Sequence, residues 1–493
     1  MSTTSTLNPE QDASLRAGVD RSLRHPVMFF FTSGAAWLAV SLVLGIIASI
    51  KTHNPEFLTC IPGFHYGRVF AAHMDAFIYG WAAQAAFGVM IWLMSRLSRQ
   101  EGFCSGIILA AGHVWNAAVG FGVLYILIYG ASGQPWMQMP ENVYPVLLLA
   151  YAVIGIGSFI NFRTRRGGHV YISQWYILAA LFWFPWILGS THMFVNVFEG
   201  HGLVAAGINA WYRSALLFLF FTPIAVASAY YLAPKVTGRP VYSYNLGILG
   251  FWILAVVGPW SGLEKFFGAP YASNLQHIGA AATVLFAAPA LAVGVNILMT
   301  VRSHMKVLQQ SPSLLFSAAG ICGLLLTAVI GIVLSVPGTM PFTNFTLARY
   351  GYEMMALYGF FSMCMFGAIY FIVPRITGRE WISTTAIKVH FFSSLYGILT
   401  VAALCGLLGG FMQGLTLEST TESSYAIVNK GFAYSWTITL GWGFVAIANL
   451  SFCLHLLLMW LRLGRRSSHP TLLDAHDPHS PHGPEGDIET LKA

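Results

Sequence analysis

Long apolar runs alternate with short polar breaks along almost the whole chain. A run of about 20 mostly apolar residues crosses a bilayer as a helix. Runs of that kind lie near positions 28–50, 70–95, 105–130, 142–162, 173–197, 203–232, 244–267, 276–302, 313–337, 347–374, 385–410 and 432–462. The short alternating strands of a membrane barrel are absent, so the runs predict helices. The pattern therefore predicts an all-α polytopic membrane protein with twelve transmembrane helices. A polar arm over 1–27 precedes the membrane domain over 28–462, and a polar tail over 463–493 follows it. No soluble domain and no strong internal repeat stand out.

Composition supports this. Only 9% of the 493 residues are charged and 56% are hydrophobic, against roughly 25% charged in an average soluble domain. A soluble globule of this size could not cover its surface with so few charges. The net charge of +7 would suggest nucleic acid in a soluble protein, but here the cations sort by loop. Most of the 25 Lys and Arg residues lie in alternate loops, with Arg96, Arg163, Lys235, Arg302 and Arg375 as examples. The opposite loops hold only Lys51, Arg68 and Lys430. The positive-inside rule then places both termini in the cytoplasm, with membrane lipid rather than nucleic acid as the surrounding partner. The 15% aromatic content suits interfacial belts and buried planar cofactors. The six cysteines form no CxxC pair, so no thiolate metal site or disulfide framework is expected. The polar first 27 residues give no cleavable signal peptide. The tail carries His469, His476, His479 and His482, a tract that reads as disorder or as weak metal binding.

Ionisable groups inside spans cost several kcal/mol and face a bundle interior. Here they are Asp75, Arg213, Glu264, Lys265, Arg349 and Glu353. Three cations and three carboxylates balance formally. Arg349 and Glu353, at i and i+4, share a helix face. The set reads either as a buried ion-pair network or as a proton path or ligand site. His73 stands beside Asp75 inside the second span, as a hydrogen-bonded core residue or as a ligand.

The runs QWYILAALFWFPW (174–186), NAWY (209–212), FTPIAVASAYYLAPKVTGRPVYSY (221–244) and GFWILAVVGPWSG (250–262) resemble subunit I of the cbb-type cytochrome c oxidases, in the haem–copper oxidase superfamily. The nitric oxide reductase large subunit is a more distant likeness. The resemblance covers nearly the whole chain and implies the haem–copper oxidase subunit I bundle. It also implies a low-spin haem b held by one His on the second helix and one on the tenth. A high-spin haem takes another tenth-helix His, and copper takes three His from the sixth and seventh helices.

Those positions transfer one by one. Gly67-Arg68-Val69-Phe70-Ala71-Ala72-His73 matches the second-helix motif, so His73 is the implied haem ligand. Arg68 is placed to neutralise haem propionates, or is an ordinary interfacial arginine. On the tenth helix, alignment puts Tyr352 at the high-spin position and Met354 at the low-spin one. Thioether sulfur is a legitimate axial ligand, although a methionine in a membrane helix is more often a core filler. The copper positions are Ser214, Glu264 and Lys265, and the oxidases' redox tyrosine is Gly258. Ser, Glu and Lys do not supply a copper ligand set, so no copper is expected. Arg213, Arg349, Tyr352 and Glu353 gather around the same place, where a salt-bridge cluster is expected.

The expected function is that of a respiratory-chain subunit I-like protein in a bacterial inner membrane. It keeps one haem b, lacks the oxygen-reducing centre and works with a c-type cytochrome or periplasmic redox subunit. A haem-free scaffold, assembly or proton-conducting subunit remains open, with Tyr242, Ser243 and Tyr244 as a retained path or a structural loop. A true oxygen or nitric oxide reductase with an altered site, and a twelve-span transporter, are further alternatives.

Overall fold

The computed structural model describes residues 9–167, 169–418 and 423–466. The His-rich tail over 467–493 lies outside them. Twelve helices long and apolar enough to cross a membrane are found among the described residues. They are α1 (Ala13–Lys51), α2 (Tyr66–Ser98), α3 (Ser105–Ile128), α4 (Val143–Arg163), α5 (Ile172–Val197) and α6 (Gly202–Thr237). There follow α7 (Tyr244–Phe266), α8 (Ser273–Gln310), α9 (Pro312–Ser335), α10 (Leu347–Thr377), α11 (Thr384–Gly406) and α12 (Tyr434–Trp460).

The polar arm expected over 1–27 is a correction. Helix already runs from Pro9 into α1, straight through Pro26. Val19, Leu23 and Val27 are buried while Arg21 is exposed. Apolar residues at i, i+4 and i+8 make a helical stripe, which average polarity conceals.

Burial divides the helices sharply. The most apolar windows of α2, α6 and α10 are 94–100% buried, and those of the other nine are 39–56% buried. Every fourth helix is thus an inner one, and α2, α6 and α10 touch one another at the centre. Each inner helix also widens into a π-helical segment, over Ala76–Ala82, Leu217–Phe221 and Met355–Ser362.

A short repeat accompanies this arrangement. Helix α6 ends in Pro234-Lys235-Val236-Thr237-Gly238-Arg239 and α10 in Pro374-Arg375-Ile376-Thr377-Gly378-Arg379. Gly238 and Gly378 adopt left-handed φ values of 67° and 65°, the usual glycine helix stop. Five residues later a serine caps the next helix: Ser243 accepts from Leu246 N, and Ser383 from Ala386 N. The match spans six residues, and no strong repeat of the kind excluded from the sequence is involved.

Close packing in lipid relies on small residues that let backbones approach. At α9 against α10, a Cβ added to Gly323 would collide with the Gly359 carbonyl oxygen, and one on Gly320 would lie 3.0 Å from Phe360 O. Polar links cross the centre as well: Trp81 Nε1 donates to Ser362 Oγ at 2.9 Å, and Asn449 Nδ2 to Tyr358 Oη at 2.6 Å. Overpacking of a tight contact costs about 1–3 kcal/mol or more. Gly323→Leu should therefore lower the thermal unfolding midpoint in detergent. Gly443→Leu should not, because a Cβ there meets no neighbour. Equal midpoints for the two variants would contradict the packing.

Candidate functional site

His73 sits on α2 and is 1% exposed. Its Nδ1–H donates to the Ser41 carbonyl on α1 at 2.7 Å, and the Ser41 hydroxyl donates to the His73 carbonyl at 3.0 Å. A carbonyl partner on one ring nitrogen leaves the other with a free lone pair. That atom, Nε2, is buried without a hydrogen-bond partner. Gly45 makes room for the ring, since an added Cβ would lie 2.7 Å from His73 Cε1.

A cavity of about 130 Å³ adjoins His73. Phe70, Leu347, Tyr350, Cys405 and Trp442 stand in its wall. Met354, buried one helical turn beyond Tyr350, is not among the lining residues. Tyr350 and Cys405 were not legible as site residues in the sequence. Only the i, i+3 spacing of Leu347 and Tyr350 hints that they share a face. Arg68 is committed elsewhere. Its Nη1 donates to Leu127 O at 3.3 Å and Ile128 O at 2.9 Å, capping the C-terminal end of α3. A cation there also suits the helix dipole.

Asp75 departs from the expected ion-pair set. Its Oδ2 accepts from the Gln138 and Met139 amides at 2.8 and 3.0 Å, so it pins the loop between α3 and α4. The Tyr79 hydroxyl donates to Trp136 O in the same loop at 2.8 Å.

The remaining charged residues do converge, from α6, α7 and α10. Arg213 Nη1 meets Glu353 Oε1 at 2.8 Å, and Lys265 Nζ lies 3.7 Å from the same oxygen. Arg349 does not turn to Glu353 as its spacing suggests. Instead it donates to Asn344 Oδ1 at 2.7 Å and to Leu334 O at 2.8 Å. Asn344 Nδ2 in turn reaches Glu264 O at 3.4 Å. The Glu264 carboxylate accepts from Thr283 Oγ1 at 3.0 Å and from Gly262 N at 2.6 Å. Gly262, at φ 127°, takes a backbone shape closed to other residues, and a Cβ there would lie 2.7 Å from Ala210 O on α6.

The other expected site residues fall around this cluster. Ser214 and Tyr352 are buried. Tyr352 packs near Gly331 of α9, and Gly258 lies against Leu219 of α6. His73 and Asp75 lie in the helical turn before the first π-helical segment, Arg213 and Ser214 in the turn before the second, and Met354 directly before the third. Such segments recur at functional sites because the extra residue re-aims the side chains around it.

The sequence profile described as "Cytochrome C and Quinol oxidase polypeptide I" matches residues 25–459. The chain belongs to that family. It is 23% identical over 397 residues to "Cbb3-type cytochrome c oxidase subunit CcoN1" of Stutzerimonas stutzeri, covering 78% of this chain and 83% of the relative. It is 24% identical over 402 residues to "Cytochrome c oxidase subunit 1 homolog" of Azorhizobium caulinodans, covering 79% and 72%. The fold matches a solved heme-copper terminal oxidase dimer with a TM-score of 0.68 at 14% identity, over 93% of this chain and 88% of that one. The protein is thus a cytochrome c oxidase subunit I-like integral membrane protein of a haem-binding family.

Breaking a buried ion pair from one side costs about 3–5 kcal/mol, because a bare charge remains. Glu353→Ala strips both Arg213 and Lys265 of their shared partner. It should destabilise the bundle by about that amount in denaturant unfolding. Lys265→Met leaves the 2.8 Å contact of Arg213 with Glu353 intact and should cost far less. Equal losses in the two variants would show that Glu353 is not the shared counter-ion.

Proposed function

We propose that this chain is a haem b electron-transfer subunit in which a salt-bridge cluster occupies the position of the family's copper and high-spin haem centre. The observation that carries the haem assignment is His73 Nε2, buried, unpartnered and beside a cavity. Bound there, a haem supplies a reversible one-electron couple. Ser41 orients the imidazole, and Phe70 and Trp442 keep water from it. A second ligand to such a haem would be a sulfur, Met354 by alignment or Cys405 in the cavity wall.

The donors at the copper position do not fit copper. Arg213 and Lys265 repel a cation, Glu353 is occupied by both, and Ser214 and Glu264 add only oxygen. Copper of this kind takes imidazole or soft sulfur. We therefore assign no oxygen-reducing step to this chain alone. Its place is the bacterial inner membrane with both termini cytoplasmic. A c-type cytochrome or periplasmic redox subunit is its partner, in an assembly like that of the cbb-type oxidases.

The cavity volume favours a second reading. About 130 Å³ is below the ~300–1,000 Å³ of pockets for drug-sized ligands, and a haem is no smaller. A haem-free scaffold or assembly subunit would keep His73 as a packed residue.

A reduced-minus-oxidised spectrum with extracted haem quantified separates the two. We expect one low-spin haem b per chain, absent in His73→Ala. A spectral change in Met354→Ala or Cys405→Ala would identify which sulfur holds the haem. A folded preparation without haem would establish the scaffold reading. Two haems, one binding carbon monoxide, would refute the proposed loss of the catalytic centre.

A further inference from the structure

The repeated stops of α6 and α10 differ in what covers them. After α10, the chain's own segment 461–466 closes over the loop. Arg379 Nη1 donates to Gly464 O at 2.6 Å, and Glu380 N to Arg465 O at 3.0 Å. The capping amides of Ile382 and Ser383 donate to His455 Nε2 at 3.0 and 3.1 Å. After α6, the equivalent amides of Tyr242 and Ser243 are also satisfied, by Thr300 Oγ1 at 3.0 Å and Asn296 Oδ1 at 2.9 Å. Over the loop itself, however, lies a cavity of about 510 Å³.

That volume is in the range of ligand pockets. Lys235 and Arg239 line it, with no Asp or Glu among the described lining residues. Arg239, the counterpart of Arg379, is exposed and makes no hydrogen bond or ion pair among the described residues. Tyr171, Tyr230 and Tyr244 supply aromatic wall. His169 packs edge-on to Tyr171 with ring centres 5.0 Å apart, and the Tyr244 hydroxyl bonds Val170 O at 2.8 Å. The wall is therefore organised before anything binds.

Position narrows the occupant. The cavity lies at the end of the bundle where α3 has yet to begin, α2 and α6 end, and α5 and α7 start, the end rich in basic loops. It is at the periphery too, since Leu249 and Trp252 of α7 face outward, each 54% exposed. Exposed Tyr171, Tyr242 and Tyr244 mark an interfacial belt there. Basic pockets between helices at such a depth hold anionic headgroups.

We propose that this cavity binds one anionic phospholipid. Its phosphodiester meets Arg239 and Lys235, and its acyl chains run down the outer face of α7. The lipid takes the covering role that segment 461–466 plays at α10. The site is independent of whether His73 holds a haem.

Native mass spectrometry of the full chain in detergent, titrated with phosphatidylglycerol or phosphatidylcholine, tests this. One phosphatidylglycerol per chain should be retained in preference to phosphatidylcholine. Arg239→Gln should weaken retention about fivefold, the effect of one interfacial cation, and Lys235→Gln should do likewise. Arg21→Gln, an exposed cation on α1 away from the cavity, should leave it unchanged. Millimolar inorganic phosphate should not displace the lipid. Equal retention of the two lipids, or equal effects of Arg239→Gln and Arg21→Gln, would overturn the proposal. Displacement by phosphate would replace the lipid with a soluble anion.

Discussion

One carboxylate oxygen of Glu353 serves two cations that arrive from two other helices. Within a bilayer there is no water to take over if that oxygen moves away. Helices α6, α7 and α10 are therefore tied at a single point. The neighbouring polar contacts follow from it. Arg349 is free to hold Asn344 because Glu353 is already engaged. Asn344 steadies the turn that carries Glu264, and Glu264 closes on its own loop through Gly262 N. Charge compensation and helix placement are the same constraint here.

The two polar centres differ in kind. Around Glu353 every charged residue has a partner, and of the polar atoms described there only Arg213 Nε is buried without one. At His73 one nitrogen is held in place and the other is left over. Paired charges hold helices together, whereas a buried imidazole lone pair beside a cavity asks for a partner. The difference between these two centres lies in a handful of side chains set in a shared fold.

The sequence made the twelve spans legible because apolar length is a strong, additive signal. It missed the start of α1, where a stripe of Val19, Leu23 and Val27 is diluted by charged neighbours. The identities of the buried charged residues were legible because a charge inside a span is costly and rare. Their pairing was not. Helical spacing joins Arg349 to Glu353, but tertiary placement gives Glu353 to Arg213 and Lys265. Asp75 is held by amides more than sixty positions away, which no local pattern encodes. Cys405 enters the His73 cavity from α11, and nothing in its sequence neighbours marks it. The paired stops of α6 and α10 were present in the sequence, but six residues count as a repeat only once both are seen to end inner helices.

The π-helical segments are the places where the inner helices can take up a change in length. Removing one residue within 76–82 would let the segment relax to an α-helix with its flanks still in phase, whereas the same deletion in an α-helical stretch turns everything beyond it by about 100°. His73 and Asp75 lie on one side, and the core residues beneath them on the other. The same holds for Arg213 on α6 and Met354 on α10. Outside these segments, a one-residue change in the length of an inner helix would turn its buried side chains out of register. The inner helices can change their chemistry by substitution but not their phase.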